Sequence, residues 1–270
     1  MPDPKHEYLL ANAAPATERE RLRAIDELMA PITRRRLEAL GLAPGWRCLE
    51  VGAGVGGVAR WLAEHVGERG RVTAIDANPL LEADSDLPQL EVRTHDILEE
   101  GLEQASYDLV HCRLLLSNVG DPALALGRMT EALRPGGWLL VEEPGEGRMP
   151  AVGDTDPRVA EFNRLFEAFL NGVKARTGAV ELDLFRRLPK LMREAGLEEI
   201  EGEMLHPLVG GPGRAALLGT LAAVRPLLEG TPFVTDGSLA RLAELAADPD
   251  LLATAGATVA LWGRRPGGVG

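Results

Sequence analysis

Cysteine is scarce in this chain: Cys48 and Cys112 are the two present, and no C-x-x-C pair occurs. That pattern excludes a disulfide framework and a zinc ribbon. Each cysteine lies near the end of an apolar stretch and reads as a small core residue. No apolar run approaches the roughly 18 residues that a membrane span needs. The opening Met1–Tyr8 has no signal-peptide core, so a cytoplasmic protein with no membrane partner is the expectation. Positive charge is outweighed, with 29 Lys and Arg against 41 Asp and Glu and a net charge of −12. Nucleic acid is therefore not expected as a partner, because its binding rests on Lys and Arg contacts to phosphates. The basic run Arg34-Arg35-Arg36 reads as a solvated helix face. There is no internal repeat and no low-complexity tract. The length of 270 residues, 45% of them hydrophobic, suits one large α/β domain with embellishments.

What is present is a glycine turn, Leu49-Glu-Val-Gly-Ala-Gly-Val-Gly-Gly57, between an apolar strand-like run and a helix-like segment from Val58 to Val66. Strand, tight turn and helix N-terminus together place a nucleotide-bearing ligand. The glycines alone leave the ligand open. Gly52, Gly54 and Gly57 fit G-x-G-x-x-G, the dinucleotide fingerprint. Gly52, Gly54 and Gly56 fit G-x-G-x-G, the turn of S-adenosylmethionine (SAM) methyltransferases.

The periodicity orders the rest. Glu18 to Leu40 is helical, with Pro31 expected to kink or split it. Strands are expected at 47–51, 71–75, 90–94, 107–111 and 138–142, with helices at 58–66 and 122–133, the latter carrying Pro122 in its first turn. The crossover 77–89 is weakly helical. Strands alternating with helices in this way mean a doubly wound parallel sheet. Helices are expected at 156–175, 182–195, 215–228 and 238–247, and strands at 198–208 and 258–263. Phe162, Phe166 and Phe169 form one stripe, either core packing or an apolar wall over a ligand.

Three acids bear on the cofactor. Asp76 ends the second strand, where a carboxylate accepts from a ribose diol. Asp96, followed by apolar Ile97, ends the third, where an adenine amine can donate. Glu50 lies just before the glycines. A carboxylate there would repel a phosphate and suits a ligand carrying an ammonium and a sulfonium.

These pieces, with Val72-Thr-Ala-Ile-Asp-Ala-Asn78, Thr94-His-Asp-Ile97, Tyr107-Asp-Leu-Val110 and Leu133-Arg-Pro-Gly-Gly-Trp-Leu-Leu-Val-Glu142, resemble the class I SAM-dependent methyltransferases that act on small molecules. The resemblance implies an α/β, mostly parallel, doubly wound, seven-stranded sheet, its last strand antiparallel and inserted between the fifth and sixth. It divides the chain into an N-terminal helical lid at 1–44, a SAM-binding core at 45–144, helical substrate-side insertions with sheet completion at 145–255, and a final strand and tail at 256–270. It implies that Gly52 and Gly54 lie along the methionyl part, with Glu50 near its charged groups. Asp76 and Ala77 would take the ribose, Asp96 and Ile97 the adenine. His111 to Arg113 would line the methyl-donor side, and Tyr8 and Arg21 would belong to the lid. The product would be S-adenosylhomocysteine (SAH).

Methyl transfer from a sulfonium needs a general base only when the acceptor arrives protonated. His111, His206 and Glu143 are the candidates. Phe162, Phe166 and Asn163 are candidates for the substrate pocket, with Asn118 and Arg186 for orientation. No Asn-Pro-Pro-Tyr tetrad of nucleic-acid methyltransferases is present, and Asp108, inside a strand, is expected to support structure, so no metal is expected. The acceptor is expected to be small and apolar or aromatic, and the protein a monomer or homodimer. The alternatives are a SAM-binding protein that forms rings without methylating, and an NAD-dependent oxidoreductase.

Overall fold

A computed structural model describes residues 15–81, 87–145, 153, 155–177, 184–206, 211–228, 235–252 and 257–267. Tyr8 lies outside the described residues. The elements run α1 (Pro15–Ala39), β1 (Arg47–Val51), α2 (Gly57–Val66), β2 (Arg71–Asp76), β3 (Leu90–Thr94), β4 (Tyr107–Arg113), α3 (Pro122–Ala132), β5 (Leu133–Pro144), α4 (Pro157–Thr177), α5 (Leu188–Glu194), β6 (Glu198–Leu205), α6 (Gly211–Leu228), α7 (Asp236–Ala247) and β7 (Thr258–Arg264).

The seven strands form one sheet in the order β3-β2-β1-β4-β5-β7-β6. The pairs β1–β2, β1–β4, β2–β3 and β4–β5 are parallel. β7 runs antiparallel beside β5: Gly136 N–H bonds the carbonyl of Arg265 at one end and Gly145 N–H that of Ala257 at the other. The expected insertion of the last strand between the fifth and sixth is what the sheet has.

The chain divides into two compact units. One combines Met29–Glu143, Leu184–Glu203 and Val259–Gly270. It holds most of the sheet, and side-chain alternation along the strands gives it two apolar layers. Leu49, Val51, Val110, Cys112 and Val141 face one way, toward Leu126 and Met129 of α3 and Leu188 of α5. Cys48, Leu109 and Leu140 face the other way, toward Ala59 and Leu62 of α2 and Leu37 of α1. Both thiols are fully buried, and burial pushes both above their ordinary range, so both cysteines are core residues. Asp108 supports structure as expected, accepting from the Arg47 N–H at 2.7 Å.

The second unit gathers Met1–Leu28, Pro144–Asp183 and Met204–Thr258. Its core is helical: Phe162, Phe166 and Phe169 of α4 pack with Leu217 and Leu221 of α6 and Leu242 and Leu245 of α7. Phe162 and Phe166 stack with centroids 5.9 Å apart, and Phe162 has no exposed surface. The stripe is core packing. Arg241 of α7 bonds Glu161 of α4 at 2.9 Å, and Arg158 bonds both Asp156 and Asp248 at 2.6 Å.

Several local expectations shift. Pro31 does not split α1; it and Glu27, the residue whose carbonyl it deprives of a donor, are both exposed. β5 begins at Leu133 rather than 138, because the Arg134-Pro-Gly-Gly137 stretch is carried within the strand past a register shift opposite Tyr107 and Leu109. The expected helix 182–195 is a 3-10 turn at 184–186 followed by α5.

Candidate active site

The carboxyl ends of β1 to β4 lie side by side, and the loops that follow them carry the polar residues singled out in the sequence. After β1 the chain turns through Gly52, Gly54 and Gly56, at φ +76°, +53° and +80°. Gly57 already belongs to α2. The left-handed positions are therefore those of G-x-G-x-G. A β-carbon on Gly56 would lie 2.4 Å from Leu81 Cδ1, and one on Gly52 3.1 Å from Leu115 Cδ1. Leucine side chains thus lie close against the turn at both positions, and glycine suits it in packing as well as in φ.

Asp76 braces this turn. Its Oδ2 accepts from Gly54 N–H at 2.9 Å and its Oδ1 from Asn78 N–H at 2.8 Å. Ala77 beside it is exposed. Asp96, also exposed, accepts from Leu98 N–H at 2.8 Å, and Ile97 is buried. Between Thr94 and Asp96, His95 Nε2 is buried and has no hydrogen-bond partner among the described residues.

Beneath this edge the apolar layer of Cys48, Leu109 and Leu140 gives way, two residues on in each strand, to Glu50, His111 and Glu142. Glu50 is paired in register with His111. His111 Nδ1 lies 2.6 Å from Glu50 Oε2 and Nε2 lies 3.1 Å from Glu142 Oε2. Thr33 of α1 donates to that same Glu142 oxygen at 2.6 Å, Arg36 of α1 binds Glu142 Oε1, and Arg36 Nε donates to Glu203 at 2.7 Å. Arg113 donates to Thr33 Oγ1 at 3.3 Å. His111, Glu142 and Glu50 are 0%, 0% and 3% exposed. Burial opposes the charge on His111, but the two carboxylates win and hold it up at about 9. Glu142 is likewise held at about 2 against its burial by His111 and Arg36. A nitrogen lone pair aimed at a carboxylate oxygen would be repelled, so both ring nitrogens carry protons.

His111 therefore has no open lone pair and no surface, and direct contact with a substrate is replaced by a buried structural bridge. Glu143, the next residue along β5, is equally committed. It accepts from Leu115, Leu116 and Ser117 N–H at 3.0, 2.7 and 3.2 Å, and burial pushes its carboxyl up to about 7. It clamps the loop after β4, in which Leu114 adopts φ +54° and Asn118 caps the Leu114 carbonyl at 2.9 Å.

The other named residues lie in the helical unit: Arg21, ion-paired with Glu18 at 2.6 Å; exposed His206 just past β6; and Phe162, Asn163 and Phe166 of α4. Arg186, by contrast, belongs to the sheet unit, in the 3-10 turn before α5. Sequence reading missed Thr33, Arg36 and Glu142. Arg36 was placed on a solvated face but is buried, while Arg34 and Arg35 are exposed as expected. Glu142 was legible as an acid ending an apolar strand, the same signal that marked Glu50.

A family model described as a methyltransferase domain matches residues 18–201. The fungal "methyltransferase str2" of Strobilurus tenacellus is 28% identical over 230 residues, covering 78% of this chain and 80% of that one. A 37.1 kDa protein of transposon TN4556 from Streptomyces fradiae is 32% identical over 165 residues, covering 59% of this chain and 46% of its own. The chain likewise spans 42% of a tRNA methyltransferase of Thermus thermophilus and 51% of a demethylmenaquinone methyltransferase of Staphylococcus aureus. Among solved structures, the 4+2 cyclase SpnF has a TM-score of 0.55 at 20% identity, covering 88% of this chain and 82% of that one, a likeness of fold. The chain belongs to the methyltransferase-domain family, in the class I fold of SAM-dependent enzymes, and not to the nicotinamide-dependent oxidoreductases.

Proposed function

We propose that this protein transfers the methyl group of SAM to a small apolar or aromatic molecule and releases SAH. The observation that carries the reading is the set of carboxylates at three adjacent strand ends, Glu50, Asp76 and Asp96, around a glycine turn with three left-handed positions. Such a set suits a ligand with an ammonium, a ribose diol and an adenine amine, and would repel a pyrophosphate. The residues fit the cofactor on the structure's own terms. The turn holds left-handed φ at Gly52, Gly54 and Gly56, which glycine alone takes without strain, and His95 Nε2 beside Asp96 is a buried polar atom with no hydrogen-bond partner among the described residues. Gly52, Gly54 and Glu50 would hold the methionyl part, Asp76 and Ala77 the ribose, Asp96 and Ile97 the adenine, with Arg113 on the methyl-donor side. Tyr8 and Arg21 remain candidates for a lid.

When bound, SAM supplies an activated methyl group on sulfur. The chain's task is then alignment and exclusion of water, effects that contribute about 7–11 kcal/mol in well-oriented systems. Glu143 fixes the loop after β4 and Asp76 fixes the turn, so both walls are set before the ligand arrives. With His111 and Glu143 committed to structural bonds, His206 is the remaining candidate base for a protonated acceptor. The acid balance, net −12, supports a small acceptor over RNA. Phe162 and Phe166, as core residues, support the helical unit, and Asn163 is the neighbour offered for substrate contact. We assign no metal and no membrane partner, a cytoplasmic location, and a monomer or homodimer.

The test is binding, then product. Calorimetry should show SAH binding to the purified protein, and incubation with SAM and candidate phenols, quinones or polyketides should release SAH in step with a methylated product. Cyclised product without SAH would favour the ring-forming reading, and no SAH binding would end both.

A further inference from the structure

The row Glu50–His111–Glu142 raises a question that loop clamping does not answer: why three ionisable side chains stand side by side directly after the apolar row Cys48–Leu109–Leu140. Removing charges from water is costly, and such a row is retained only when each member is fully partnered. His111 and Glu142 meet that condition. Glu50 meets it on one side alone: Oε2 is bound by His111, whereas Oε1 has no hydrogen-bond partner among the described residues. At the other end the row leaves the sheet. Glu142 is held by Thr33 and Arg36, one turn apart on α1, and Arg36 continues to Glu203 of β6.

We propose that His111, an imidazolium held between Glu50 and Glu142, is a positioning residue for the amino-acid end of the cofactor. It fixes Glu50 Oε2 so that Oε1 takes the ligand's ammonium, and it ties that oxygen through Glu142 and Arg36 to α1. The proposal rests on the SAM reading above. It differs from a purely structural bridge in one respect: the energy passes selectively to the part of the ligand that carries the ammonium. Glu50 without His111 would swing, and that change removes the acceptor for an ammonium while leaving the ribose and adenine groups, Asp76 and Asp96, untouched.

Two ligands separate the readings. SAH carries the ammonium; 5′-methylthioadenosine keeps the adenosine and sulfur and lacks it. In His111→Gln and Glu142→Gln, calorimetry should show SAH weakened about tenfold or more, the loss expected of a charged hydrogen bond, and 5′-methylthioadenosine changed by less than about twofold. Arg36→Met should follow the same pattern with a smaller loss, and Arg36→Lys should recover part of it. Equal weakening of both ligands, or no change in either, would overturn the proposal. If the variants fail to fold, the ¹⁵N shifts of the His111 ring in the wild-type protein decide: two protonated nitrogens at neutral pH support it and a neutral ring overturns it. A wild-type protein that binds neither ligand removes the cofactor reading itself, an outcome distinct from binding without selectivity.

Discussion

Asp76 serves two backbone amides at once, Gly54 and Asn78, so its carboxylate both shapes the turn and stands at the ligand edge. Asp76→Ala should therefore weaken SAH by more than about tenfold, since a lost charged hydrogen bond costs about 1.5–3 kcal/mol and the turn loses its brace as well. Calorimetry against SAH measures it, and unchanged affinity would remove Asp76 from the site. Residues of this kind were legible in sequence, because a carboxylate ending a strand beside a glycine turn is a local pattern. The bridge from Glu50 to Arg36 was not. Glu50 and His111 lie in different strands and meet only through the parallel register that sets them opposite one another. Arg36 is buried because α1 brings Thr33 and Arg36 to Glu142, a fact that a basic tripeptide does not disclose. The lone histidine was visible; the two carboxylates that occupy its ring nitrogens required the sheet.

Elements were more legible than pairings, since periodicity is a property of one segment. α3 starts where Pro122 predicts, and the Asp121 side chain before it accepts from Leu124 N–H at 2.9 Å. Asp121→Ala should cost about 1 kcal/mol, the usual worth of an N-cap, read as a lower urea midpoint at unchanged slope. Pro31 makes the opposite case. It sits inside α1 without breaking it, on an exposed position, so Pro31→Ala should stabilise the protein by about 1–3 kcal/mol through the restored hydrogen bond and relieved clash. A loss of stability in the same urea titration would mean that α1 depends on the proline ring itself. β5 was misjudged at its start for a physical reason: Pro135, Gly136 and Gly137 signal a turn locally, yet β7 pairs with them through Gly136 and Gly137 to Arg265. Non-local pairing overrides local turn chemistry there.

Three apolar clusters, one on each face of the sheet and one in the helical unit, set the stability of the whole molecule, and its charges set how that stability varies with pH. In the helical core, Phe162→Ala should cost about 3–5 kcal/mol, the usual cost for a buried aromatic, while leaving SAH affinity of the folded protein unchanged. In the sheet unit Glu143 and His111 pull one way and Glu142 the other. Glu143 is raised from 4.5 to about 7, so the folded protein keeps a proton that the unfolded chain has released, and stability falls as pH rises across that window. His111 is raised from 6.5 to about 9; its contribution is complete below 6.5 and is lost as pH rises through 9. Glu142 is lowered from 4.5 to about 2, so its contribution is present above 4.5 and is lost as pH falls toward 2. Together these place the stability maximum near about pH 5, with a decline toward alkaline pH that begins before His111 titrates. Scanning calorimetry should give a higher Tm at about pH 5 than at about pH 8.5. Glu143→Gln, which mimics the protonated acid and keeps an acceptor for the loop amides, should flatten the profile between about pH 4.5 and 7 and leave the steeper fall above it. A Tm that climbs from pH 5 to 8 would mean that the buried row is not charged as its geometry requires, and the positioning role of His111 would fall with it.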